Sequence, residues 1–149
     1  MDLSDEILIP APRDRVYAAL NDTDVLKDCI PGCEELERTG ENELTAKVVL
    51  KVGPVKAKFS GDVTLDPAGA PERFSLSGKG NGGAGGFAKG GADVVLEDRG
   101  DETLLRYDAK ADIGGKLAQL GNRLVQSTSK KLAAQFFEKF RDRMADYSA

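Results

Sequence analysis

From Glu34 to Ile113 the chain alternates with a period of two, and the phase that would face a core carries many glycines and alanines. Leu44, Ala46, Val48, Leu50 and Val52 alternate with polar or charged neighbours, and Ala57, Phe59, Gly61, Val63 and Leu65 follow. Further inward rows are Phe74, Leu76, Gly78 and Gly80, then Ala88, Gly90, Ala92, Val94 and Leu96, then Thr103, Leu105, Tyr107, Ala109, Ala111 and Ile113. Clean alternation predicts an antiparallel sheet with one wet face, and Gly53-Pro54 and the loop from Pro67 to Pro71 join its strands as a meander. A sheet lined with small side chains leaves space beneath whatever covers it. The cover is one long amphipathic helix expected from Leu117 to Tyr147, with Leu117, Leu120, Leu124, Val125, Leu132, Phe136 and Phe140 on a broad stripe. Gly121 and Thr128 lie inside that stripe, whereas Phe137 and Met144 drift off it, so the last turns are expected to project beyond the sheet. The expected result is an apolar gap, the usual form of a small-molecule site; the alternative is a helix that sits lower and closes it.

Ahead of the sheet, Leu3, Asp5, Ile7 and Ile9 share one side of a first strand. Pro10 and Pro12 end it, and Pro12 suits a first helical turn, where its missing N–H has no partner to lose. Val16, Tyr17 and Leu20 repeat at helical spacing. A second short helix follows, with Asp22 or Thr23 as N-cap and Val25, Leu26, Cys29 and Ile30 as its apolar side, and Pro31-Gly32 stops it. The order of elements describes an α+β protein in which a curved antiparallel sheet grips one long helix. At 149 residues the chain reads as a single domain, 1–149, able to bury roughly 70% of its unfolded surface.

Composition removes several function classes. With no histidine, Ser-His-Asp and Cys-His nucleophiles and His-containing zinc sites are out. A net charge of −4 argues against a broad nucleic-acid footprint. The N-terminus lacks a positive region followed by an apolar core, so no signal peptide is expected. No run of about eighteen apolar residues occurs, and the reading is a cytoplasmic protein.

The motifs carry little chemistry of their own. Gly78 to Gly83 spells G-x-G-x-x-G, but a dinucleotide site needs those glycines to open a helix, and here a further strand pattern follows. A Gly-rich hairpin tip with one large apolar residue, Phe87, is the expectation, serving as a lid or contact surface. Cys29 and Cys33 lack the partners of a metal site and the spacing of a redox pair, and they read as small packed hydrophobes, with a place at the pocket rim as the other option. Lys130, Lys131, Lys139, Arg141 and Arg143 favour the helix dipole on a solvated face; with Phe136, Phe137 and Phe140 nearby, contact with an anionic membrane is the minority reading. Asp93, Asp108 and Asp112 fall on the outward phase, which leaves Tyr107 and Thr128 as the polar handles inside. No catalytic residue, metal ligand or cofactor is assigned.

Several stretches resemble the CoxG-like family of carbon monoxide dehydrogenase accessory proteins, a branch of the START-like, or SRPBCC, helix-grip superfamily. They are Pro12-x-x-x-Val16-Tyr17-x-x-Leu20-Asn21-Asp22, Cys29-Ile30-Pro31-Gly32-Cys33-Glu34, Gly53-Pro54-Val55, the Gly-rich stretch to Gly91, and Gly114-Gly115-Lys116-Leu117-Ala118-Gln119-Leu120-Gly121. The resemblance implies a helix-grip fold whose cavity takes a hydrophobic small molecule, and an accessory role beside a molybdenum-containing carbon monoxide dehydrogenase or related hydroxylase at the membrane or its quinone pool. Many relatives carry a longer C-terminal extension suited to tethering. With the sequence ending at Ala149, the expectation is transient contact with the inner face of the cytoplasmic membrane.

The leading functional expectation is therefore a non-enzymatic binder of a lipid or quinone-like molecule. Phe59, Leu76, Tyr107, Leu120, Leu124 and Thr128 are expected to wall its site. Gly61, Gly78, Ala92, Ala109 and Gly121 would make room, with Phe87 at the lid. A larger residue at Gly121 or Ala109 is expected to block binding and spare the fold. A cyclase- or hydrolase-like enzyme using the same cavity and an interaction adaptor without ligand are the alternatives.

Overall fold

The computed structural model of the protein describes residues 1–146. The alternating rows form a seven-stranded antiparallel sheet of order β1-β7-β6-β5-β4-β3-β2. Its strands are β1 (Asp2–Ile9), β2 (Cys33–Gly40), β3 (Glu43–Val52), β4 (Val55–Asp66), β5 (Arg73–Asn81), β6 (Phe87–Arg99) and β7 (Glu102–Gly114). Six consecutive strands make the meander, and β1 closes on β7 with Ile9 opposite Thr103 and Asp2 opposite Lys110. Helices α1 (Arg13–Leu20) and α2 (Thr23–Cys29) lie between β1 and β2. Asp22 is the N-cap of α2, its carboxylate accepting the N–H groups of Asp24 at 3.0 Å and Val25 at 3.4 Å.

The single long helix expected from Leu117 is instead two. A short α3 (Lys116–Gln119) ends at Leu120, and α4 (Asn122–Asp146) begins after Gly121. Gly121 has φ +92°, a conformation that side-chain-bearing residues rarely adopt, so it breaks the helix. Tyr147, expected at the helix end, lies outside the described residues.

The last turns of α4 do not project beyond the sheet. Phe140 is fully buried and Met144 nearly so, in a cluster with Val16, Ala19, Val25 and Cys29 from the short helices and Ile9, Phe74, Val94, Leu96 and Leu105 from the sheet. Phe137 stacks on Tyr107 at 5.4 Å between ring centres. Met144 falls off the sheet-facing stripe because α4 meets a second surface there, the α1–α2 pair, whereas Phe137 turns to Tyr107 on β7. Thr103, fully buried, donates its hydroxyl to the carbonyl of Ala11 at 2.7 Å and so fixes the corner where β1 leads into α1.

A second, smaller cluster of Val52, Phe59 and Leu117 lies near the start of α4, with Leu50, Val55, Ala57, Ile113, Leu120 and Leu124 packed around it. The backbone of α4 comes closest to α2 and β1, with a lesser approach to β3. Between the two clusters the helix stands off the sheet.

Candidate ligand cavity

The space left under α4 is a cavity of about 490 Å³, within the usual range for small-molecule sites. Its sheet wall comes from β3 (Ala46, Val48, Leu50, Val52), β4 (Phe59, Gly61, Val63) and the small residues Gly80, Ala88 and Ala111 with Ile113. Leu117, Val125, Thr128, Ser129 and Leu132 supply the helix side, and Met1, Ile30 and Pro31 complete it. The physical cause is the one read from the sequence. Five of these inward positions, Ala46, Gly61, Gly80, Ala88 and Ala111, are Gly or Ala, and a Cβ alone does not reach a helix roughly 10 Å away across a layer of side chains.

The lining has no ionisable side chain. Its only hydroxyl-bearing side chains are Thr128 and Ser129, both half-buried on α4. They offer hydrogen bonds to a polar atom of a guest and nothing suited to proton transfer near neutral pH.

Of the residues expected at the site, Phe59, Gly61 and Thr128 line this cavity. Leu120 and Leu124 belong to the small cluster beneath it. Leu76 and Tyr107 pack against the larger core instead. Tyr107 faces a separate open groove of about 880 Å³ between β1 and α4, which also has Lys130, Glu138 and Arg141 on its walls. Burial and the nearby Asp5 carboxylate push the Tyr107 phenol above its ordinary pKa. Ala92 and Ala109 hold the inward phase on β6 and β7, with Leu76 facing Ala92 and Ala92 facing Ala109, but they sit one inward row beyond the cavity wall; Gly78 lies in the row of the lining residues Val63 and Ala111 without itself lining the cavity. Gly121 lies in the helix break with open space where a Cβ would be. A leucine there strains the backbone without filling the cavity.

The sequence reading missed the other lining residues as site members, although Ala46, Val48, Leu50, Val63, Ala88, Ala111 and Ile113 already stood on the inward rows. Alternation gives the phase of a strand. It does not say which stretch of that phase lies under the hollow part of the helix.

The Gly-rich segment after β5 is a short 3-10 turn, Gly83–Gly85, folded against the cavity floor. A Cβ at Gly82 would lie 2.5 Å from the ring of Phe59, so glycine is required for the segment to cover that ring. Phe87 lies across Gly114 and remains 51% exposed. Cys29 is buried, and that burial, helped by the Asp28 carboxylate, pushes its thiol up to about 11. Burial also raises Cys33, which donates to the Glu35 carbonyl at 3.4 Å. Both thiols are therefore poor nucleophiles. Asp93 and Asp108 accept hydrogen bonds from Ser75 and Ser4 on the outer face, away from the cavity. Among the described residues no group of three His, Cys, Asp or Glu side chains is placed to hold a metal.

The family profile of the carbon monoxide dehydrogenase subunits named CoxG matches residues 6–145. The chain belongs to this family. Its fold is the START-like helix grip. A conserved protein from Geobacillus kaustophilus superimposes with a TM-score of 0.91 at 28% identity, covering 98% of this chain and 96% of that one. A START superfamily protein from Mycobacterium smegmatis gives 0.76 at 13% identity over 99% of each chain. The Zhui aromatase/cyclase from Streptomyces sp. R1128 gives 0.69 at 12% identity over 97% and 93%. No curated protein sequence matches the chain. Among the described residues no helix is long and apolar enough to cross a membrane.

Proposed function

We propose that this CoxG-family protein binds one lipophilic molecule, a lipid or a quinone-like compound, in the cavity under α4, and does no chemistry on it. The observation that carries this reading is the lining itself: apolar side chains apart from two hydroxyls, and no ionisable side chain. Binding is driven by removing apolar ligand surface from water, worth about 25 cal/mol per Å², and Thr128 and Ser129 orient one polar end. Membership of the CoxG family supports service to a molybdenum-containing carbon monoxide dehydrogenase or a related hydroxylase, with the lipophilic cargo linking that enzyme to a membrane or quinone pool.

An aromatase/cyclase shares the fold, so an enzyme is the second reading. It requires an acid or base that reaches the guest, and Tyr107, the nearest candidate by sequence, opens to the outer groove. Native mass spectrometry of freshly purified protein, with organic extraction of what co-purifies, tests the proposal. A stoichiometric lipid or quinone released unchanged is the expected result. An empty protein that also refuses added quinones and lipids overturns it, and a chemically altered guest favours the enzyme.

A further inference from the structure

The two edges of the sheet are finished differently. β2 is interrupted by register shifts between Cys33 and Glu35 and between Arg38 and Gly40. Helix α2 packs beside it, and Arg38 reaches across to the Asn21 carbonyl at 2.8 Å. Bulges and cover of this kind stop a further strand from adding. β1 has no bulge and pairs with β7 in unbroken register from Asp2 to Ile9. Met1 exchanges both backbone hydrogen bonds with Ala111 at 2.9 Å, so alternation turns the N–H and C=O groups of Asp2, Ser4, Glu6 and Leu8 to the open edge. Gln126 donates to the Asp2 carbonyl at 2.7 Å, and the Glu6 N–H donates to the Asp5 carboxylate at 2.8 Å. The N–H groups of Ser4 and Leu8 and the carbonyls of Ser4, Glu6 and Leu8 have no partner among the described residues.

Beside this edge lies the open groove of about 880 Å³, which shares no lining residue with the cavity. One wall is the inward row of β1, Leu3, Asp5 and Ile7, and the other is α4, with Ala134 and Phe137 near its middle. The walls run alongside each other. Gln126 holds Asp2 at one end, and Ala145 and Pro10 share the groove at the other. The helix rises about 29 Å over that stretch and the strand about 27 Å, which leaves a slot for roughly eight extended residues. A slot between an edge strand and a helix is where PDZ and PTB domains accept an added strand. The groove carries Asp5, Glu138 and Asp142 against Lys130 and Arg141, and none of the five is in an ion pair among the described residues. Of these only Asp5 is on the strand itself, so it meets the side chain directly opposite on an added strand.

We propose that β1 accepts an extended segment of another protein as an eighth, antiparallel strand, with a Lys or Arg side chain opposite Asp5 and apolar side chains opposite Leu3 and Ile7. The Asp5 carboxylate exchanges the Glu6 N–H for the incoming cation, and that N–H then pairs with the added backbone. The apolar side chains cover Leu3 and Ile7 and fill the space above Ala134, where the helix wall is lowest. A second copy of the chain is the poorer occupant. Antiparallel pairing of β1 with itself, centred on the strand, sets Asp5 opposite Asp5 or Glu6 opposite Glu6, and like charges directly opposed across strands repel. A basic segment removes that conflict. Because groove and cavity have separate walls, the docking does not depend on what the cavity holds.

Fluorescence polarisation of a labelled peptide, Thr-Val-Thr-Lys-Thr-Val-Thr, with the full chain tests this. Saturable binding is expected, about tenfold weaker when glutamate replaces the peptide's lysine. Asp5→Lys should reverse that preference, and because Asp5 is exposed the fold is spared, as circular dichroism would verify. Methylating the backbone nitrogens of the two threonines beside the lysine removes the donors to the Ser4 and Glu6 carbonyls and should abolish binding. Methylating the lysine's own backbone nitrogen, which points away from β1, should be tolerated. Ala134→Trp, which fills the groove from an exposed helix position, should weaken binding about tenfold. Equal affinity for the lysine and glutamate peptides, equal tolerance of the two methylations, or no binding of either peptide overturns the proposal. So does a dimer in analytical ultracentrifugation that Ala134→Trp dissolves, which would give the edge to a second copy.

Discussion

One sheet and one helix build two halves of different character. In the filled half the inward rows carry Phe74, Val94, Leu96 and Leu105, the helix brings down Phe140 and Met144, and α1 and α2 add a further layer. In the hollow half the same set of strands carries Gly61, Gly80, Ala88 and Ala111, and the helix offers Val125, Thr128 and Ser129. Backbone pairing is continuous through both. Side-chain volume along each strand, not secondary structure, therefore decides where the molecule is solid and where it has room. The filled half carries the cost of the hollow one, because protein interiors are close-packed and a cavity forfeits contacts along its whole wall.

The comparison breaks most visibly at Phe140. Phe140→Ala should lower unfolding stability by about 3–5 kcal/mol in a denaturant titration, while Val125→Ala, beside the cavity, should cost about 1 kcal/mol or less, since its wall already lacks close partners. Similar losses at the two sites would show that the halves are equally packed. Thr103→Val, which strands the buried Ala11 carbonyl, should cost about 1–3 kcal/mol by the same measurement. Gly121→Leu forces a side chain into a left-handed backbone and should cost about 1–3 kcal/mol with ligand affinity unchanged; reduced affinity there would return Gly121 to the cavity.

The smallest effect concerns pH. The Cys29 thiol has a folded pKa of about 11 against an ordinary 9.0, so between those values the folded state holds a proton that the unfolded state has released. Its contribution is fully present below about pH 9 and is lost as pH rises towards 11. Stability measured across that window should fall with pH, and Cys29→Ala should flatten part of the slope. An unchanged slope would show that the thiol is not in the filled half's desolvated core.

Much of this was legible in the sequence. Alternation gave the strands and their inward phase, and Asp22 announced the α2 cap. Small residues on the inward phase announced the cavity. What stayed hidden has physical causes. A stripe drawn on an unbroken helix cannot register the break at Gly121, where φ turns positive. Met144 looked misplaced because a single stripe assumes a single packing surface, and α4 also packs on α2. Leu76, Ala92, Tyr107 and Ala109 share the cavity's phase but lie further along their strands. That offset is set by where α1 and α2 fill the space, a long-range contact that no local period encodes.

Titration of the purified chain with a long-chain quinone or fatty acid, comparing wild type with Ala111→Phe, tests the hollow half most directly. The predicted result is saturable binding in the wild type, at least about tenfold weaker in the variant because the ring occupies the guest's volume, with little change in thermal stability. Absence of saturable binding in the wild type, or equal affinity in the two proteins, would contradict it.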